Sequence, residues 1–344
     1  MLPVARALLI INRTAGTGQS ESSAESLTSL FRQRLAELSD VQVDFVIDHA
    51  NARACTAKFI AASEAPALVV AGGGGGTLRA VIEGMLPESK RVRVGALRMG
   101  SGNVLAKQFG VPRDPVAGLR GLLSNLQAER TIPCCVLRCE TFTESGEREV
   151  QHAVTLGGLG QFGRIPSDLA RWHARLPFVH KGAARLFGIE TLTNVEYAVA
   201  LLIRSMSCML MPERAETIDI QIEDKTERLR LLSALVMNFP ISALPFKPDV
   251  SVEDEAAAVY LIPFSGRFSP LLQIVAPRRL IARCIRIDKN RHLEIQLVDR
   301  DHVEFFLDED PVTTFKQLSL GVAGSIAFVP GPDYPAIAFQ GACA

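Results

Sequence analysis

Residues 67–85 read ALVVAGGGGGTLRAVIEGM, and this stretch decides the fold. ALVVA (67–71) is an unbroken apolar run of strand length, the mark of a strand buried on both faces. TLRAVIEGM (77–85) repeats its apolar side chains at helical spacing. Between them stand five glycines, Gly72 to Gly76. A tight turn needs one or two. Five at the carboxyl end of a buried strand leave backbone N–H groups free to converge on phosphate oxygens, and the positive end of the following helix dipole adds to their pull. Gly73, Gly74, Gly75, Gly76 and Thr77 are therefore candidate nucleotide-binding residues. The loop is not a P-loop, because no Gly-Lys-Ser/Thr follows. It is also not the Gly-x-Gly-x-x-Gly dinucleotide fingerprint with its acidic ribose contact.

Reading outward, the same alternation recurs. ALLIIN (7–12) is a short apolar strand, and 21–38 carries Leu27, Leu30, Phe31, Leu35 and Leu38 on one helical face. VQVDFVI (41–47) alternates as a strand, and 51–63 is an alanine-rich helix. VRVGAL (92–97) is a further strand, followed by a Gly-Ser-Gly turn and another helix. Strands separated by single helices predict parallel βαβ crossovers and a doubly wound α/β layer. Its strand-end loops are NRTAG (12–16), the glycine run and MGSGN (99–103). Such loops gather along one edge of an open sheet, the usual position of a ligand. Asn12, Gly16, Ser101 and Asn103 join the candidates on that ground, although Ser-Gly-Asn is also a common turn and helix cap.

The pattern changes near residue 128. Short β-type runs then dominate: TIPCCVLRCE, VQHAVTL, TIDIQIE, LRLLSALVM, AVYLIPF, ARCIRI, HLEIQLV, VEFFL and SIAFV. A helical insert from about 163 to 211 interrupts them. The expected fold class is α/β plus β. An N-terminal α/β nucleotide-binding domain spans 1–127, a mostly antiparallel β-sandwich spans 128–330, and a tail covers 331–344.

Composition narrows the functions. A chain of 344 residues, 48% hydrophobic and 22% charged, has ample material for two cores. Its 37 basic and 37 acidic side chains cancel, so no basic excess marks a nucleic-acid partner. Seven cysteines are scattered without a second Cys or His cluster to complete a zinc site, and Cys134, Cys135 and Cys139 lie in an apolar run. They read as buried reduced thiols in a cytoplasmic protein. The apolar run 7–11 is too short for a signal-peptide core, and 197–211 falls short of a spanning helix. The six histidines show no HxxH or HExxH spacing, and no metal ligand is assigned.

In three loops at once the chain resembles the catalytic domain of diacylglycerol kinases, of sphingosine and ceramide kinases and of the soluble bacterial lipid kinases. NRTAG (12–16) is similar to that family's Asn-Pro-x-Ser-Gly. GGGGTLRAVIEGM (73–85) resembles its Gly-Gly-Asp-Gly-Thr-x-x-Glu-Val-x-Asn-Gly signature, and MGSGNVLAKQFGVP (99–112) its Gly-Thr-Gly-Asn-Asp-x-Ala segment ending in Gly-x-Pro. VMNFP (236–240), FLDEDPV (306–312) and SIAFVPGP (325–332) resemble later segments in the right order. The resemblance implies a two-domain fold with ATP in a cleft between the domains. It also implies transfer of the γ-phosphoryl group to a lipid hydroxyl such as that of diacylglycerol, with Mg²⁺ as companion ion.

The departures from that pattern are as informative. The signature aspartate falls on Gly75, its glutamate on Ala80, and the aspartate after the second loop on Val104. The glutamate that acts as general base in bacterial members falls on Asp310, one methylene shorter. Asp310 is thus the candidate base, and Asp308 or Asp310 a carboxylate able to support a metal. Without the resemblance, Asp-Glu-Asp before a proline is an ordinary acidic turn. Arg13 and Arg79 offer replacement positive charge at the loops. RWHARLPFVHKGAARLFG (171–188) mixes cations with aromatic and aliphatic residues, as a segment resting on an anionic bilayer does or as a helix packed on its own domain does. The expected protein is a kinase acting on a lipid at a membrane surface, peripheral at the inner face, with a homodimer left open. The alternative is a catalytically weak or inactive nucleotide- or lipid-binding member of the same fold. A kinase for a soluble nucleotide cofactor is a third reading, against which the β-domain match argues.

Overall fold

A computed structural model describes residues 2–15, 21–100, 103–175, 189–223, 225–240, 249–251, 253–275, 283–308 and 310–334. The chain divides into two compact units. One comprises 1–134 together with 325–344, and the other 135–324.

In the first unit, β1 (Arg6–Asn12), β2 (Asp40–Val46), β3 (Ala67–Gly73) and β4 (Val92–Arg98) run parallel in the order β2-β1-β3-β4. Ala327 and Phe328 extend the sheet beside β4, again in parallel. Both faces of this sheet are covered, which is why ALLII and ALVVA are apolar without alternation. One face of β1 and β3 presents Ala7, Leu9, Ile11, Leu68 and Val70 to Leu27 and Phe31 of α1 (Glu21–Arg34) and to Leu119, Leu122 and Leu126 of α5 (Pro115–Gln127). Helices α2 (His49–Ala61) and α3 (Gly75–Met85) pack on each other and against β1 and β3. Acidic side chains start two of the helices. Asp48 caps α2 by accepting from Asn51 N at 2.7 Å, and Asp114 caps α5 immediately before Pro115.

Arg6 fastens the sheet edge from within. It is buried on β1, donates to Asp40 at 3.0 and 2.7 Å and to the Phe59 carbonyl at 2.9 Å, and lies 4.2 Å over the Phe59 ring. Burial alone raises the Asp40 carboxyl pKa, but the paired guanidinium outweighs it and holds that carboxyl below the usual carboxylate range. The returning terminal segment is held by stacking of Phe328 on Phe109, with ring centroids 4.1 Å apart, and by Asn125, which donates to the carbonyls of Pro330 and Gly331 at 3.0 Å.

The second unit is β-rich and built mainly from antiparallel pairs. β7 (Leu156–Gly160) and β8 (Glu216–Ile222) flank β9 (Lys225–Met237), and β10 (Ala256–Pro263) also pairs with β9. β12 (Leu293–Leu297) joins β8 to β15 (Gln317–Phe328), and β13 (His302–Leu307) pairs with β7 and with β14 (Asp310–Phe315). The helical insert is α6 (Ile165–Arg175) and α7 (Ile189–Leu210).

Three expectations need adjusting. VQHAVTL is not one strand: it breaks between β6 (Arg148–Ala153) and β7 because Val154 and Thr155 turn their N–H groups to a buried carboxylate. The closing strand is longer than SIAFV. β15 begins at Gln317 and passes Gly324, whose φ of +139° is an angle that side chains resist. It also leaves the β-rich unit at residue 325, so the compact units part at 134 and 325 where composition suggested 127 and 330. Among the described residues no helix is long and apolar enough to cross a membrane.

Candidate functional site

The strand-end loops of the first unit come together as the pattern of strands and helices predicts. Met99 N donates to the Gly73 carbonyl at 3.2 Å, joining the turn after β4 to the turn after β3. At Gly100 an added Cβ would overlap the Cα of Gly74, so glycine is required there by close approach of two backbones. Gly74 itself has room, since its Cβ would stand 3.5 Å from the Gly100 Cα.

Gly74 is the N-cap of α3, in extended conformation with φ −91° and ψ −170°. Having no side chain, it cannot cap the helix. The first-turn N–H groups of Gly75, Gly76 and Thr77 therefore have no side-chain acceptor from the cap residue, and Gly74 to Gly76 are half-buried rather than sealed. No acidic residue occupies that first turn. Uncapped N–H groups at the positive end of an eleven-residue helix suit an anion.

The polar side chains around this turn are braces. Asn12, 3% exposed, donates from Nδ2 to Oγ1 of Thr77 at 2.9 Å, and Thr77 is 1% exposed. Asn12 Oδ1 accepts from Thr14 N at 3.0 Å and from Thr14 Oγ1 at 2.8 Å, so the end of β1 is tied to the start of α3 and to its own turn. A Cβ at Gly73 would run into the Thr77 side chain. Asn103 adopts the left-handed conformation, with φ 52°, just before the short α4 (Val104–Gln108). Its Oδ1 accepts from Gly100 N at 3.1 Å and its Nδ2 donates to the Gly100 carbonyl, so its amide closes the MGSGN turn on itself. Gly16 and Ser101 lie outside the described residues, as does most of the basic segment, 176–188.

Arg13 lies with its guanidinium 4.5 Å over the exposed Phe45 ring, at the outer edge of the loops. Arg79 is half-buried on the first turns of α3. One neighbour escaped sequence reasoning. The His49 ring lies so close to Gly76 that any Cβ there would collide with it. Nothing in the local sequence signals this, because the two residues meet only when the β2–α2 and β3–α3 turns share one sheet edge.

These donors do not suit a protein-held Mg²⁺. The turn offers N–H groups, which repel a cation, and α3 lacks a carboxylate in its first turn. Among the described residues no group of three His, Cys, Asp or Glu side chains is placed to hold a metal ion.

The carboxylates of FLDEDPV belong to the second unit and differ sharply. Asp308, 1% exposed and left-handed at φ 49°, accepts from Val154 N at 2.7 Å, Thr155 N at 2.8 Å, Thr155 Oγ1 at 2.5 Å and Leu156 N at 3.3 Å. Its oxygens thus hold the β6–β7 turn. Asn238 of VMNFP completes this junction, donating to the carbonyls of Cys135 at 2.9 Å and Val154 at 2.8 Å. Asp310 opens β14, is half-buried and pairs in register with Leu307.

With this geometry in hand, comparison with known proteins is specific. Residues 6–135, nearly the whole first unit before the chain crosses over, match the family model described as diacylglycerol kinase catalytic domain. A diacylglycerol kinase of Bacillus subtilis (strain 168) is 26% identical over 199 residues, 56% of this chain and 59% of that protein. The aligned part thus spans under two thirds of that relative's length. A crystal structure of a diacylglycerol kinase from Bacillus anthracis str. Sterne is 14% identical, with a TM-score of 0.60 covering 97% of this chain and 100% of the other. Another crystal structure from the same organism gives 0.64 at 16% identity, with the same coverage. At such identities the structures show a shared fold.

The Asp308 junction generates a prediction. Asp308→Asn places an amide N–H₂ against N–H donors and leaves at least one of them buried without an acceptor. Unfolding in urea should show a loss of about 2–3 kcal/mol. A variant as stable as the wild type would show that the junction does not depend on the charge.

Proposed function

The chain belongs, through residues 6–135, to the diacylglycerol kinase catalytic-domain family, and on that premise we propose that it is an ATP-dependent lipid kinase. The observation that carries the proposal is the uncapped N-terminal turn of α3, with half-buried glycines 74–76 and the Gly100 backbone against Gly74. The polyphosphate of ATP is the ligand whose charge matches that turn and whose bulk needs the missing Cβ atoms. Asn12, Thr77 and Asn103 act through the backbone: they hold the turns in the shape that leaves the N–H groups exposed.

The proposed reaction joins a lipid hydroxyl oxygen to the γ-phosphorus as the bond between that phosphorus and the β,γ-bridging oxygen breaks, releasing ADP. The hydroxyl proton passes to a base, and Asp310 is the proposed acceptor. Such a transfer relies on positioning and on neutralising phosphate charge more than on covalent chemistry. In the first unit that neutralisation comes from α3's N–H groups and dipole, with Arg13 and Arg79 as nearby cations. Mg²⁺ that accompanies ATP would be held here by phosphate and water, since α3's first turn has no carboxylate.

A second reading has a specific observation behind it. Gly75 stands where the family signature has aspartate, and a nucleotide-binding protein without turnover would need no acid there. The deciding experiment is ATP turnover with a panel of lipid acceptors, with and without Mg²⁺. Phosphorylation of a lipid supports the kinase, and tight ATP binding with no acceptor supports the alternative.

Three variants refine this. Gly74→Val fits the fold, since the added Cβ meets only ordinary contact at Gly100, but it projects beside the phosphate position. ATP affinity should fall about tenfold or more with the unfolding midpoint nearly unchanged; unaltered affinity would remove the loop from the site. Asp310→Asn should leave ATP affinity intact and lower kcat by about 10²-fold or more, read by single-turnover kinetics. Gly75→Asp should make ATP binding depend more steeply on Mg²⁺, tighter with the ion and weaker without it, because an added carboxylate attracts the ion and repels bare phosphate. Calorimetry at several Mg²⁺ concentrations checks this.

A further inference from the structure

The second unit contains a helix whose polarity is reversed. Along α7, Val195, Val199, Leu202, Met206 and Leu210 follow one another at spacings of four, three, four and four, so they share one face. All five are exposed, Leu210 to 64%. The helix's charges from Val195 onward point the other way. Glu196 meets His173 of α6 at 3.0 Å, and Arg204 forks onto Asp168 of α6, with Nη2–Oδ1 at 2.6 Å. Ala200 packs between them on Ile165 and Leu169. A surface helix ordinarily buries its apolar stripe and solvates its charges. This one pairs its charges inside and presents about 22 Å of apolar face outward. The face continues onto α8 (Ser269–Val275), which packs on α7 and is preceded by Phe268, 69% exposed.

What the face meets is indicated by its C-terminal end, where three exposed arginines gather. Arg267 Nε donates to the Met209 carbonyl at 3.2 Å, Arg214 donates to Ser207 Oγ, and Arg230 donates to the Pro212 carbonyl while lying 4.6 Å over the Phe264 ring. None of the three is ion-paired among the described residues, and the acid beside them in sequence is the exposed Glu213. These arginines are held by neutral oxygens and keep their charge for another partner. An apolar face bordered by cations complements the acyl and headgroup layers of an anionic bilayer. No described helix is long and apolar enough to cross one.

We infer that the α7–α8 face, with Arg214, Arg230 and Arg267 at its rim, is the surface by which the protein docks on an anionic lipid bilayer. This deepens the proposed function, whose substrate is a lipid, and rests on that reading only for its purpose. Of the basic segment singled out in the sequence, 176–188 lie outside the described residues.

The test is sedimentation of the full chain with vesicles, without nucleotide, using phosphatidylcholine alone or mixed with phosphatidylglycerol. The double variant Val199→Asp/Met206→Asp should lose binding to mixed vesicles by about tenfold or more. Arg267→Gln, which leaves the apolar face intact, should weaken it roughly fivefold on mixed vesicles and leave binding to phosphatidylcholine alone unchanged. Circular dichroism and thermal unfolding check that both variants fold, and Arg267→Gln keeps the test decisive should the double variant not fold. Unchanged vesicle affinity in a folded variant overturns the inference. So does a wild-type dimer that the double variant converts to monomer while vesicle binding persists, since a second copy then covers the face. Docking that follows the expected pattern in a protein that phosphorylates no lipid supports this surface while sinking the kinase reading. Turnover on a dispersed short-chain diacylglycerol with vesicle binding untouched by the variants does the reverse.

Discussion

The hydrogen bond from Asn12 Nδ2 to Thr77 Oγ1 sets the shape of the strand-end loops. Both groups are buried, and leaving either without a partner costs about 1–3 kcal/mol. To make the bond, β1 must end beside the start of α3, and Thr77 must turn back over Gly73, which is why position 73 tolerates no Cβ. With Thr77 directed inward and Gly74 at the cap, the cap residue offers no side chain to the first turn of the helix.

A matching device governs the second unit, with a carboxylate in place of an amide. Asp308 accepts from the N–H groups of three consecutive residues, and Asn238 donates to the carbonyl of Val154 in the same turn and to that of Cys135 in the strand Ile132–Phe142. Together they break a run of β-type residues into two strands and give β13 and β14 their shared end. Acidic motif residues are therefore not interchangeable. In Asp308-Glu309-Asp310 the first accepts from the N–H groups of the β6–β7 turn, while Asp310 opens a strand. A loss of activity on replacing Asp308 would report a damaged turn, not lost proton transfer.

Much of the first unit was legible because its signals are local. Apolar runs of strand length, helical periodicity and glycine turns each depend on a few neighbouring residues, and regular βαβ spacing leaves few ways to arrange them. The second unit was less legible for the converse reason. Its strands are short and pair across long separations, as β12 does with both β8 and β15. β14, led by Asp310-Pro311, and the glycine-bearing first half of β15 carry weak strand signals, and only pairing makes them strands.

The sequence by itself determined the parallel α/β layer, the place of the glycine turn after β3, and the missing carboxylate at Gly75, because each is written in contiguous residues. Tertiary structure alone decided which polar residues are braces. Asn12 and Thr77 are 65 positions apart, and Asp308 meets Val154 across 154. It also decided that His49 would lie on Gly76, that the last strand would return to the first unit, and that α7 would turn its charges inward. The physical reason is common to all of these. A side chain's polarity is readable from its type, but whether it is satisfied, and by what, depends on which distant backbone or charge folding brings within about 3 Å.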